Sequence, residues 1–529
     1  MSVLPKSLMV LGARLQTART ALRLKQKKSA VPAQKNTFRT LVRSFAKTSF
    51  GRAVGVEAGM TYPQFQKRVP LHSYADLAPH IEKMKRGAAD VLWPGQCAFY
   101  AVTPGTTDGP PKSLPVTWAM LAHFQQATRD ALLYYCARTG HTKVFHGRHL
   151  LLGGSQPLSL IPGSDKFAAY EGDLSSLIAL NLPKWFERHL YEPGAEIAEL
   201  TDWSEKLAAI VERTRQADIS LVAGLPSWLL AFAETMRPGG SAGPSRAPAL
   251  QQTIWPHLEV LVHGGVPVGP FQGELRRAYG PAVHFHEIYP ASEGFIAAQD
   301  ATPGEGLRLM ADTGLFYEFL PMKYFDEGRL GPLGAYALPL EGVKANEDYA
   351  LILTTPGGLC RYVVGDVVRF ISTVPPRLIY AGRTGLQLNA FGERVIEKEL
   401  TDALLAVCSG HGWIITNFHV APMFIDSLTG NNRGRHEWWI ELRPGSDDNP
   451  TGPTLALQLD AELKVRNADY ELKRRSNHIE PPIARLVMPG VFEHWMRHHG
   501  KWGGQSKLPR CRSDRVIADE LMQIARFNE

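Results

Sequence analysis

Short apolar runs that stop at Gly, Pro or Ser, with helical stretches between them, constrain this chain more than any other feature. HLLLGGS (His149–Ser155) and ADISLVAGLP (Ala217–Pro226) are two such runs, and HLEVLVHGGVPVG (His257–Gly269) repeats the pattern. An apolar run without alternation reads as a strand covered on both faces, and the Gly or Pro at its end marks the turn over the sheet edge. Strands separated by helical spans predict a βαβ architecture with sites at the strand ends. RPGGSAGPSRAP (Arg237–Pro248) reads as a surface loop.

The texture changes at Tyr349. YALILTT, the turn residues Pro356, Gly357 and Gly358, and LCRYVVGDVVRF predict a β-hairpin or meander in which Asp366 sits at a Gly-Asp turn. LNAFGE (Leu388–Glu393) reads as a short connector, and RVIEKELTDALLAVCSG as an amphipathic helix ending at Gly410. Strand, strand, helix and an irregular tail are expected after it. The predicted fold class is α/β, α+β overall. A basic N-terminal helix (1–35) precedes a large domain (36–386) of βαβ layers plus a β-barrel or meander, and a smaller α+β domain (387–529) follows.

Charge is unevenly placed. Met1 to Arg52 holds 12 Lys and Arg, and the first acid is Glu57. Removing those 12 from the 58 bases leaves 46 against 51 acids, so the basic balance belongs to the N-terminal segment and not to the body. Leu4, Leu8, Leu11, Leu15 and Leu22 recur there at helical spacing. Membrane-surface contact, nucleic-acid contact and a transit peptide are the functional readings. The structural reading is a helix packed on the body with its basic face in water. The body adds no second basic signal, so no nucleic-acid partner is expected. Five scattered cysteines (Cys97, Cys136, Cys360, Cys408, Cys511) form no CxxC pair, which fits a reducing compartment. No apolar run approaches the roughly 18 residues that span a bilayer, and no signal-peptide core is present, so a cytoplasmic protein without stable membrane insertion is expected.

Three local patterns carry chemistry. In FYAVTPGTTDGPPKSLPVT (Phe99–Thr117), hydroxyls and glycine amides crowd one turn before Lys112 and Ser113, as in a phosphate cradle. The spacing is not that of a Walker A loop, and a plain surface turn is the alternative. FHEIYPASEGFIAAQ (Phe285–Gln299) offers Tyr289 to stack on a base, Ser292 for phosphate and Glu293 for Mg²⁺. In GLCRYVVGDVVRF (Gly358–Phe370), Asp366 could accept two hydrogen bonds from a ribose diol or simply bond its own backbone. Gly239-Gly240-Ser241-Ala242-Gly243 satisfies GxSxG, but it lacks the preceding strand and following helix that a hydrolase elbow needs. The histidines, His498-His499 included, show no metal-ligand spacing.

In this order the three patterns resemble the acyl-acid amido synthetases first named for auxin-responsive plant genes. That family has many bacterial members and belongs to the AMP-forming adenylating superfamily of acyl-CoA ligases and firefly luciferase. TPGTTDGPPKSLP, EIYPASEGF and LPLEGVKANEDYALILTTPGGLCRYVVGDVVRF are similar to its three nucleotide motifs, and AGRTGLQLNAFGERVIEKEL to its interdomain crossover. RHEWWIE, LDAELKVRNADYELKR and GGQSKLPRC resemble its C-terminal domain.

The resemblance implies an adenylate-forming fold with a mobile C-terminal domain, and the substrates ATP, a carboxylic acid and an amine, with Mg²⁺ as cofactor. Thr103, Thr106 and Thr107 would hold phosphates, and Tyr289 would lie against adenine with Ser292 near the phosphates. Glu293 would bind Mg²⁺, Asp366 the ribose hydroxyls, and Arg383 would sit beside the ribose. Lys507 would reach the α-phosphate, and Leu225 and Trp228 would line the acyl pocket. Pro104 and Asp108 depart from the family's serine and glycine; proline removes a donor N–H and aspartate adds charge near a triphosphate. The implied activity is adenylation of an acid followed by amide formation, with an amino acid as the expected amine. A carboxylate–CoA ligase and a non-catalytic acyl- or nucleotide-binding protein are the alternatives.

Overall fold

A computed structural model describes residues 5–26, 30–103, 111–153, 158–161, 167–200, 202–236, 248–425, 434–443, 450–499 and 508–525. The chain divides into two compact units, one of residues 1–364 and 369–379, the other of residues 365–368 and 380–529.

Among the described residues a 12-stranded sheet dominates. Its first part is parallel and runs in the order Tyr191–Glu192, Arg148–Leu151, Ile219–Gly224, Val260–Gly264, His284–Ala291. These are the apolar runs of the sequence, and helices cover both of their faces as expected. Val222 and Leu261 point to one side, against Leu229, Phe232 and Trp255. Their neighbours Leu221 and Val260 point to the other, against Tyr135 and Cys136 of the helix Trp118–Thr139. Alternation along each strand thus feeds two separate cores. The sheet continues through Gly294–Ala298, Leu307–Leu309, Pro376–Arg383, Tyr362–Thr373, Asp348–Thr354, Phe316–Pro321 and Leu338–Pro339. A four-stranded sheet carries the hairpin Phe99–Thr103 and Lys112–Pro115.

In the second unit Ile415–Phe424 pairs antiparallel with Gly434–Leu442, which pairs parallel with Ile483–Val487. The adjacent residues Trp438 and Trp439 are both fully buried but belong to different cores. Trp438 packs with Leu400, Leu404, Leu455 and Leu459 of the helices Glu397–His411 and Gly452–Arg466. Trp439 packs with Phe492, Trp495 and Leu521 of the helices Val491–His498 and Val516–Ile524.

Three expectations need correction, and the N-terminal helix packs on the body by a face other than its leucines. Asp366 lies inside a 12-residue strand, Tyr362–Thr373, and not at a turn; Gly365, with φ of +91°, absorbs the local distortion without breaking the strand. The helix expected to stop at Gly410 runs to His411 and ends on left-handed Gly412. Among the described residues the tail is regular, with helices at Ala468–Arg475, Val491–His498 and Val516–Ile524 and the strand Ile483–Val487. The N-terminal helix, Lys6–Lys25, packs through Ala13, Thr17 and Thr20, while Leu8, Leu11, Leu15 and Leu22 face outward. Small side chains allow it a close approach to the helix Trp118–Thr139, and larger leucines on that side would hold the two apart. Leu4 lies outside the described residues. All five cysteines are buried and free. Among the described residues no helix is long and apolar enough to cross a membrane.

Candidate functional site

In the first unit, the strand ending at Thr103 pairs with the strand beginning at Lys112, so these two residues close the base of the first motif. The base is held from outside: the Tyr74 hydroxyl accepts from Ser113 N at 2.9 Å, and Lys112 lies over the Tyr74 ring. Thr106 and Thr107, with Pro104 and Asp108, lie outside the described residues.

The second motif is a tight hairpin. Ala291 pairs with Gly294, leaving Ser292 and Glu293 as its two-residue tip, both half-buried, while Tyr289 is buried on the incoming strand. At Gly294 φ is +157° and a Cβ would lie 2.4 Å from Leu315 Cδ1, so a side chain there would have to displace the end of Leu315. His123, which sequence reasoning passed over, fixes this hairpin. Its Nε2 accepts from Phe295 N at 2.9 Å, so its Nδ1 carries the proton donated to Thr313 O at 2.7 Å. Burial pushes its pKa down to about 4 and keeps the ring neutral. No sequence signal marks this role, because His123 is 172 residues from its partner.

Leu225 and Trp228 stand at the start of the helix Pro226–Met236. Trp228 is buried in the core and meets Trp203 at 5.0 Å between ring centroids, and Leu225 is the partly buried one. Within the third motif, Arg361 forms a fully buried pair with Glu318. Arg361 gives Glu318 contacts of 2.8 and 3.1 Å and also donates to Val69 O, Gln66 O and Gly334 O. The Tyr62 hydroxyl donates to the same carboxylate at 2.9 Å. Every polar atom there is committed to structure, which excludes it as a ligand site.

The second unit brings Asp366 and Arg383 together. The Arg383 Nε lies 3.3 Å from Asp366 Oδ1, with side-chain exposures of 27% and 6%. Thr384 N donates to Gly365 O at 2.8 Å and holds the two segments in this register. At Gly382, φ is +139° and a Cβ would sit 3.3 Å from Glu397, so the glycine lets the helix Glu397–His411 start against the strand. Tyr380 and Glu397 complete the cluster. Burial, then the charges of Glu397 and Asp366, push the Tyr380 hydroxyl well above its usual pKa, so it stays protonated.

Lys507 lies outside the described residues. The residues after it are pinned: Val420 N donates to Arg510 O, His419 bonds Pro509 O, and Arg510 lies over the Phe418 ring. Glu293 is a single half-buried carboxylate beside a hydroxyl. Mg²⁺ is commonly held by one or two carboxylates and substrate phosphates, so this tip fits it. Among the described residues no cluster of three or more His, Cys, Asp or Glu could hold a metal alone.

Comparison with known proteins places these elements in a wider context. The GH3 family N-terminal domain matches residues 23–285, its central domain residues 308–383 and its C-terminal domain residues 398–516. The Probable indole-3-acetic acid-amido synthetase GH3.12 of Oryza sativa subsp. japonica is 23% identical, over 94% of this chain and 94% of its own length. The jasmonoyl–L-amino acid synthetase JAR6 of Nicotiana attenuata is 22% identical over 92% of this chain and 91% of its own. Among solved structures, the GH3.15 acyl acid amido synthetase superposes with a TM-score of 0.72 at 16% identity, covering 96% of this chain and 95% of that one. At that identity the superposition establishes the fold.

Proposed function

The chain belongs to the GH3 family, and from that membership we propose that it adenylates a carboxylic acid with ATP and transfers the acyl group to an amino acid. The observation that carries this reading is the match of all three family domains, in order, across residues 23–516.

The chemistry explains why such residues are needed. A carboxylate is a poor electrophile because oxide would have to leave. Its oxygen attacks the α-phosphorus of ATP, pyrophosphate departs, and the acyl-adenylate now carries AMP as a good leaving group. The amine then attacks the acyl carbon, AMP leaves and an amide forms. In this proposal Asp366 accepts the ribose hydroxyls, and Arg383 orients its carboxylate. Tyr289 lies against adenine. Ser292, Thr103, Thr106 and Thr107 hold phosphates, and Lys507 stabilises charge that develops on the α-phosphate. Bound Mg²⁺, held through Glu293, would offset phosphate charge. Leu225 contacts the acyl chain with Trp228 behind it. Residues 387–529 form the domain that moves between the two half-reactions, after the basic helix 1–35 and the adenylation domain 36–386. A bacterial origin and a cytoplasmic location complete the proposal.

Carboxylate-dependent ATP–pyrophosphate exchange, run over aryl, indolyl and fatty acids with Lys507→Ala as control, tests this reading. Exchange that needs an acid and is lost in the variant is the expected result. No exchange with any acid, together with no ATP binding by calorimetry, would leave a non-catalytic protein of the same family.

A further inference from the structure

The outward face of the N-terminal helix is built for a surface that is both apolar and acidic. The helix is fixed from its inner side. Ala13 is packed in the core beside Tyr135 and Cys136, Arg23 pairs with Asp130 and Asp312, and Arg308 bonds Leu24 O. That anchoring sets the outer face. Leu8, Leu11, Leu15 and Leu22 are 52%, 53%, 58% and 64% exposed. Their spacing of three, four and seven residues, with exposed Ala18 filling the gap, keeps them in one straight stripe about 21 Å long at 1.5 Å per residue. Arg14 and Lys25 lie along one edge of the stripe and Arg19 along the other, all exposed.

We propose that this stripe docks the protein on the surface of an anionic lipid membrane, with the helix lying in the plane of the interface. Isolated exposed leucines are ordinary, but four in line on a rigid helix form a continuous apolar patch. Bases flanking an apolar stripe let the leucines enter the acyl boundary while the guanidinium and ammonium groups stay among phosphates. Charge decides between occupants. No Asp or Glu occurs before Glu57. A second copy of the same helix would therefore set Arg14, Arg19 and Lys25 against like charges. Nucleic acid would use the bases and leave the leucines without a partner.

The test is co-sedimentation of the full chain with phosphatidylcholine vesicles, with and without 30 mol% phosphatidylglycerol. Binding to the anionic vesicles is expected to exceed binding to neutral ones by at least about tenfold and to weaken in 0.5 M salt. Leu8→Ser/Leu11→Ser/Leu15→Ser/Leu22→Ser should abolish it with the melting temperature unchanged, and Leu15→Ser alone should weaken it. Arg14→Glu/Arg19→Glu should lower it by about tenfold or more. Equal binding to both vesicles, or binding that survives the serine variants, would overturn the proposal. So would a leucine-dependent dimer that ignores vesicles, or retention on duplex DNA that the serine variants leave intact.

Discussion

Two acid–arginine pairs stand five residues apart on one stretch of chain, and they differ in how completely they are closed. Arg361–Glu318 is sealed, with both side chains at 0% exposure and the guanidinium shared among a carboxylate and three carbonyls. In Asp366–Arg383 the printed contact is longer, at 3.3 Å, and the arginine keeps about a quarter of its side chain in water. A pair that satisfies every donor internally has nothing left to offer a ligand. A pair that buries the acceptor but leaves its arginine partly open can exchange partners without first breaking the fold, as the proposed ribose contact requires. Burial and saturation, and not the mere presence of a charge pair, separate a structural site from a binding one.

That contrast can be broken by substitution. Arg361→Met strands the Glu318 carboxylate in the core, and urea unfolding should show a loss of about 3–5 kcal/mol. Loss below 1 kcal/mol would mean that the sealed pair is ornamental. Asp366→Asn should do the reverse. Arg383 can rehydrate, so stability should move by less than about 1 kcal/mol, while acid-dependent exchange falls by at least about 30-fold, or ~2 kcal/mol. A variant that unfolds but retains exchange per folded molecule would refute the assignment.

Acid should strike the neighbourhood of the sealed pair. His72 is buried, its Nδ1 bonds Cys360 O, and burial lowers its pKa below the usual 6.5, with nearby Arg361 lowering it further. The unfolded chain binds a proton there that the folded chain refuses, so stability falls as the pH drops below about 6.5. The slope from this residue is at most about 1.4 kcal/mol per pH unit, and His72→Gln should flatten melting curves taken from pH 7 to 5 by that share. The smallest effect is expected for Arg383→Lys, which keeps charge but loses the planar fork. ATP KM should rise about three- to tenfold with kcat little changed, and the melting temperature should stay put.

Much of this was legible in the residues. Apolar runs closed by Gly and Pro gave the parallel half of the sheet, because burial on both faces leaves a run without alternation. Asp366 stands out as a candidate acceptor, yet the sequence predicts a turn where the strand continues, since Gly-Asp looks the same whether glycine ends a strand or only distorts it. Glu318 and His123 were out of reach: each acts on a partner 43 or 172 residues away, and spacing along the chain does not record such contacts. The leucines of the first helix were visible as a stripe, but periodicity gives a face without saying what lies opposite it. Small residues at Ala13, Thr17 and Thr20 made the other side the packing side.

The chain passes from the first unit to the second after Val364, returns after Val368, and leaves again after Ile379. Three chain crossings, and not one tether, therefore join the two units. No single peptide cleavage divides the protein into two complete halves. A fragment of this chain expressed from residue 387 onward would come away without Asp366 and Arg383, two residues that belong to the second unit.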